Sequence, residues 1–175
     1  MIFYTADLHF GHANIIKHCD RPFADASEMD EVLIANWNMQ VTNGDTVYIA
    51  GDLMFRIAGA PSAYLDRLKG KKHLIIGNHD SSWMKKAELS RYFESVAYMT
   101  VINNGKCRVT LCHYPMMTFD SSYLIYGHIH NNTNNNYWPL LKTMENALNA
   151  GVEVNGYQPV SFEELIANNI VFREG

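Results

Sequence analysis

Two histidines one residue apart, in Gly127-His128-Ile129-His130, close an apolar run and are followed by six residues of which only Thr133 is not asparagine. Alone, the segment reads as a polar loop that happens to hold histidine. The same kind of ending recurs, however. Asp7 and His9 follow the run that starts at Ile2, Asp52 follows Thr46 to Ala50, Asn78 and His79 follow His73 to Ile76, and His113 follows the run ending at Cys112. Each such polar group costs free energy to desolvate unless something satisfies it. Imidazole together with carboxylate and amide oxygen suits borderline first-row dications, and not calcium or a thiolate cluster. A tetrahedral zinc takes about four protein ligands, or three with an open position. The set here is roughly twice that, enough for two ions sharing a carboxylate.

The elements that must position these residues can be read from periodicity and turn chemistry. Ile2 to Ala6, Thr46 to Ala50 and His73 to Ile76 are expected as buried strands. Between them, Ser27 with Asp30 is expected to cap a helix presenting Met29, Leu33, Ile34 and Trp37 on one face. Pro61 is expected to open a helix that Gly70 closes, and Ser81 or Ser82 to cap another. From Ser95 the texture turns all-β, with a hairpin at Asn103-Asn104-Gly105 and a strand over Tyr123 to Tyr126. Residues 144–154 read equally as helix or strand, and Ser161 with Glu164 caps a short final helix. This is an α/β pattern: a mainly parallel first half, and a second half of antiparallel strands added to it or packed beside it. In such sheets the strand carboxyl ends converge on one crevice, where ligands bind.

Composition narrows the function classes. The 175 residues make one domain of ordinary size, with 14 basic and 18 acidic side chains and a formal charge of -4. No basic field favours duplex nucleic acid as a partner. Three cysteines without CxxC spacing argue against a disulfide framework or zinc ribbon. The opening MIFYTAD carries no leader-like pattern, and no stretch is long enough to span a membrane, so a cytoplasmic location is expected.

The ordered series DLH at 7–9, GD at 51–52, GNHD at 77–80, an isolated His113 and GHIH at 127–130 resembles the calcineurin-like metallophosphoesterases. The opening DLHFGHANII looks like a small, capless microbial branch of that family. The resemblance implies a four-layer αββα sandwich of two mixed sheets, forming a single domain over residues 1–175. It implies two divalent transition-metal ions, manganese first with iron, zinc or nickel as alternatives. One ion would be held by Asp7, His9, Asp52 and His130, and the other by Asp52, Asn78, His113 and His128. Asp52 would bridge them. His128 and His130, two apart on an extended segment, would point to one side and serve different ions. His79 would stand outside the ligands, contacting substrate or protonating the leaving group. The implied activity is phosphoester hydrolysis, foremost of diesters, by a hydroxide bridging the metals. Two dications against two aspartates and one hydroxide leave roughly +1, which complements a phosphate anion. The alternatives are a phosphomonoesterase or pyrophosphatase acting on a small nucleotide-like metabolite, and a catalytically silent scaffold of the same fold.

Other conspicuous residues have plainer readings. His12, Arg56 and Asp80 are candidate substrate contacts: His12 follows His9 by three, Arg56 follows Asp52 by four, and Asp80 could turn its carboxylate toward His79. His18 and His73 are expected on the surface or on a helix face, and Arg21 in a surface ion pair. Cys112 should point away from His113 into packing. The Asn131 to Asn136 loop is expected to be solvated, with base or sugar recognition the second reading. No interval between motifs is long enough for a cap domain. The sequence is compatible with a homo-oligomer.

Overall fold

Apolar runs rich in Ile, Val and Tyr become strands, and their alternating residues pack on two different layers. A computed structural model describes residues 1–175. The first half contains β1 (Ile2–Thr5), α1 (Ala13–His18), α2 (Ala26–Gln40), β2 (Thr46–Ile49), α3 (Ser62–Leu65), β3 (Lys71–Ile75), α4 (Ser81–Met84), α5 (Leu89–Tyr92) and β4 (Phe93–Ala97). The second contains β5 (Met99–Asn103), β6 (Arg108–Cys112), β7 (Tyr123–Tyr126), α6 (Trp138–Leu141), β8 (Ala147–Asn149) and α7 (Phe162–Glu174). Strands β1-β2-β3-β4 form one sheet and β5-β6-β7-β8 the other.

The first sheet is wholly parallel, so only one of the two sheets is mixed. In the second, β5 and β6 form the expected antiparallel hairpin, but β6, β7 and β8 run parallel. The expectation of antiparallel strands extended a real hairpin signal too far. The segments after β6 and β7 carry the chain back before it re-enters the sheet in the same direction. The all-β texture expected from Ser95 begins inside β4, which pairs with β3 and belongs to the first sheet.

Tyr4, Ala6, Ala50 and Ile75 from the first sheet meet Val109, Leu111, Ile125 and Leu148 from the second in a buried layer between the sheets. Their neighbours Phe3, Val47, Ile49 and Leu74 face outward against Met29, Leu33 and Trp37 of α2. Each such fully buried large side chain stabilises the fold by about 1.5–3 kcal/mol. On the opposite outer face, Leu124, Tyr126 and Ala147 are covered by Leu141 of the single-turn α6. The order is therefore helices, sheet, sheet, helix. Cys112 packs against this last cluster, away from His113. Helix α7, which carries the expected Ser161–Glu164 capping box, closes the edge where β1 and β8 meet, burying Phe162 and Leu165.

Several caps differ from expectation. The cap of α2 lies two residues earlier, because the Asp25 carboxylate accepts from the Glu28 N–H at 2.9 Å and displaces Ser27 from the role. Helix α3 is a single turn, and the chain reaches the left-handed Gly70 through turns. The residue before α4 is Asp80, not a serine, and its side chain makes no capping bond. Residues 147–149 settle as β8. No helix is long and apolar enough to cross a membrane.

The bridge of Ala6 to Gly151 is parallel, so β1 and β8 point the same way and the carboxyl ends of both sheets open on one side. All the candidate ligands lie there.

Candidate metal centre

The chain leaves its strands into this crevice by unusual backbone turns. Of eight non-glycine residues with positive φ, five are candidate ligands: Asp7, His9, Asp52, His128 and His130. The segment carrying His128 and His130 is therefore not extended, as expected, but left-handed at both histidines. Left-handed geometry costs roughly 1–2 kcal/mol per such residue. Hydrogen bonds among the loops hold it: Asp7 N–H donates to Gly51 O, His9 N–H to Asp52 O, and His128 N–H to both Asp7 carboxylate oxygens at 2.9 and 3.1 Å.

The glycines of the motifs have a steric reason. A Cβ on Gly77 would lie 2.2 Å from Asp52 Oδ1 and 2.5 Å from the Asp52 nitrogen. Gly51 has φ +94°, and a Cβ there would lie 2.4 Å from His113 Nδ1. Gly77→Ala is accordingly expected to push Asp52 out of place, lowering metal affinity and the Tm of the metal-loaded protein. Gly59→Ala, whose Cβ would meet nothing within 4 Å, should leave both unchanged. Calorimetric metal titration of the two variants checks this, and equal affinities would refute it.

Asp52 Oδ2 lies 3.6 Å from His9 Nε2 and 3.4 Å from His113 Nε2. One carboxylate oxygen thus faces imidazoles from both expected half-sets. Donor atoms of Asp7, His9 and His130 cluster within 4.8 Å of one another, and so do those of Asp7, Asp52 and His113. Asn78 Oδ1 stands 2.9 Å from both His113 Nε2 and His128 Nδ1. The structure thus brings together all seven residues named from sequence as ligands.

This arrangement fits cations. His9 Nε2 is buried without a hydrogen-bond partner, although a carboxylate oxygen is close. His113 Nδ1 sits 2.8 Å from Ala50 O, which can only accept, so the proton belongs on Nδ1 and Nε2 is left for a ligand. His130 Nδ1 sits 3.0 Å from Glu153 Oε1 with the same consequence. Without cations the cluster is electrostatically divided. Burial drives Asp7 up to about 6, partly offset by His130 and His113. Burial also takes His9 down to about 2, against the pull of Asp52. Burial opposes the charged form of His113 as well, yet its bond to Asp52 carries it up to about 9. Burial pulls His130 down, but Cys19 and Glu153 carry it to about 11. Cation binding would displace such protons.

An open cavity of about 740 Å³ adjoins the cluster, lined by His9, His79, His128 and His130. Its wall also includes His12, Arg56, Asn132 and Asn135, and His18 at the end of α1. His79 is half-exposed there, with Nε2 3.9 Å from Asp52 Oδ2. The His12 ring lies 3.9 Å from Phe55, centroid to centroid, and its Nδ1 is 3.1 Å from His9 Nδ1. The Arg56 guanidinium lies over Phe55. His73 is remote, bonded to Ser95 Oγ. A groove of about 610 Å³ beside α7 holds none of the candidate ligands.

Two expectations need correction. Asp80 is not a substrate contact. Its buried carboxylate accepts from the N–H groups of Gly77, Asp52 and Leu53 and from Trp83 Nε1, tying the GD turn to the GNHD turn. Arg21 is not superficial. It is buried, with Nη2 2.6 Å from Glu153 Oε1. Glu153 and Asn149, which also bear on the site, carried no signal in the sequence.

Residues 1–150 match the family model described as calcineurin-like phosphoesterase. The chain is 38% identical to the uncharacterized protein MJ1445 of Methanocaldococcus jannaschii over 94% of its own length and 89% of that protein. It is 33% identical to the Gene 66 protein of Mycobacterium phage D29, covering 65% of this chain and 63% of that one. Among solved structures, the protein of unknown function AQ665 from Aquifex aeolicus superposes with a TM-score of 0.73 at 27% identity, covering 94% of this chain and 96% of the other.

Proposed function

The chain belongs to the calcineurin-like phosphoesterase family, and from that premise we propose that it is a two-metal phosphoesterase acting mainly on small phosphodiesters. The observation that carries the reading is Asp52 Oδ2 facing His9 Nε2 and His113 Nε2 while His9 Nε2 has no hydrogen-bond partner. Asp7, His9, Asp52 and His130 would hold one ion, and Asp52, Asn78, His113 and His128 the other. Manganese is favoured over iron, zinc or nickel. Two such ions would supply Lewis acidity toward phosphate oxygens and a source of hydroxide at neutral pH. The chain itself contributes the half-exposed His79 beside the reacting group, Arg56 at the cavity wall, and the fixed dipoles of the loops.

The charge of the wall favours diesters. Arg56 is its one permanent cation, and no carboxylate lines it. Burial, with His79 and Arg21 nearby, lowers His12 to about 4, so it is neutral at pH 7. A singly charged diester demands less compensation than a dianionic monoester. The open cavity also admits varied leaving groups, such as nucleosides. A run of phosphates in duplex DNA would find little to neutralise it.

The test is kcat/KM for an aryl phosphodiester beside the matching monoester, with each metal added to metal-free protein. The diester is expected to be ahead by about tenfold or more, a difference of about 1.4 kcal/mol in the barrier. A consistent preference for the monoester or for a pyrophosphate would replace the diesterase reading while leaving the metal centre standing.

A further inference from the structure

His130 is gripped at two points, by the last residue of β8 and by one four positions on. Asn149 Nδ2 donates to its carbonyl at 2.7 Å, and its ring Nδ1–H donates to Glu153 Oε1 at 3.0 Å. The same Oε1 accepts from Arg21 Nε at 3.0 Å and Nη2 at 2.6 Å. The Arg21 guanidinium also donates to Asp7 O at 2.7 Å and Leu8 O at 2.9 Å. One buried pair therefore links the Asp7–His9 loop to His130, three of the four residues expected around one ion. In the other half-set no imidazole meets a carboxylate outside the cluster: His113 Nδ1 rests on Ala50 O, and the buried Asp80 braces backbone N–H groups and Trp83.

A pair buried this deeply, at 0% and 1% exposure, is a poor device for stability alone. Desolvating two charges costs several kcal/mol per ion, and well-packed apolar replacements are often neutral or better. Glu153 Oε2 is moreover buried without a partner, so the carboxylate is not arranged to satisfy itself. What Oε1 does is fix the proton on His130 Nδ1, which leaves Nε2 as the ring atom able to serve the cluster with Asp7 and His9. Glu153 also lies beyond residues 1–150, the part that matches the family model.

We propose that Glu153, neutralised by Arg21, is a positioning residue that sets the tautomer and orientation of His130 and so the affinity of one ion of the pair. This rests on the two-metal reading. Losing such an outer hydrogen bond to a ligand typically costs 10–100-fold in metal affinity.

Two double variants separate positioning from packing. Arg21→Met/Glu153→Gln removes both charges but keeps an amide oxygen able to accept from His130 Nδ1–H. Arg21→Met/Glu153→Met matches it in size and charge and offers only a weakly accepting thioether in place of the oxygen. Metal-free wild type and both variants are titrated with cobalt(II), followed by calorimetry and visible absorption, with thermal melts as a control for folding. Wild type and the Gln variant are expected to take two ions. The Met variant should take the first normally and the second about 10–100-fold more weakly, with an altered cobalt spectrum. Should the two doubles bind cobalt alike, Glu153 is merely structural and the proposal falls. Wild type taking fewer than two ions would instead overturn the metal-centre reading itself.

Discussion

Asp52→Asn is expected to lose metal from both halves of the centre and at least about three orders of magnitude in kcat/KM, about 4 kcal/mol of transition-state stabilisation. The change is isosteric, so packing of this buried residue is preserved. What goes is a full negative charge at the one oxygen that faces His9, His113 and His79 together. Burial works against that charge, but the bond and charge of His113, with the N–H of His79, bring the Asp52 carboxyl down to about 2. An asparagine amide cannot replace it as a shared ligand. Its nitrogen, if turned toward the His79 N–H that Oδ1 accepts at 2.9 Å, would set donor against donor. His9→Ala, by comparison, removes a ligand from one half only and should spare the other ion. Metal content and kcat/KM measured on both variants decide the point. An Asp52→Asn protein that carries two ions and turns over normally would remove Asp52 from the shared position.

Why some of this was legible in the sequence and some was not follows from the range of each interaction. Strand runs such as Thr46 to Ile49 declare themselves through local apolar content, and a charged or imidazole residue directly after each run stands out against it. The seven candidate ligands could therefore be named, with the ordered motifs supplying their grouping. Periodicity carries no information on strand direction, however. The β6–β7 and β7–β8 pairs run parallel because of where their connections pass, which is a tertiary matter. The left-handed turns at His128 and His130 were equally hidden. Non-glycine residues give no local sign of positive φ, and here the loops impose it through bonds such as His128 N–H to Asp7. The cap of α2 was missed because Asp25 and Ser27 are both good capping residues, two positions apart. Least legible was the Arg21–Glu153 pair, whose partners lie 132 residues apart and carry no mark of burial. Asp80 was misread for the opposite reason. Proximity to His79 suggested chemistry, whereas the backbone turns it into four hydrogen bonds that brace the ligand loops.

His79→Ala should separate chemistry from metal binding. The contribution of residue 79 to the architecture is its backbone N–H, which donates to Asp52 Oδ1, and alanine keeps that bond. Its ring is half-exposed in the cavity, at 5.3 Å from the His9 ring and edge-on to Phe55 at 4.8 Å. The variant is therefore expected to carry both ions at wild-type affinity. If the ring protonates the departing oxygen, kcat falls by about 10²–10⁴-fold. The size of the loss should then depend on the leaving group. A nitrophenolate departs without a proton and should feel the substitution little, whereas an alkoxide such as a nucleoside hydroxyl should feel it fully. A ring that only stabilises charge on the phosphate would instead cost every substrate about the same. The neighbouring Asp80 carboxylate is committed to other donors, so it does not stand ready to take over the proton in the variant. Plotting log kcat against leaving-group acidity for wild type and His79→Ala reads this directly. A steeper line for the variant assigns the acid to His79, and parallel lines assign it charge stabilisation. A variant that arrives with fewer than two ions would show the imidazole to be a metal ligand after all, despite its place outside the buried cluster.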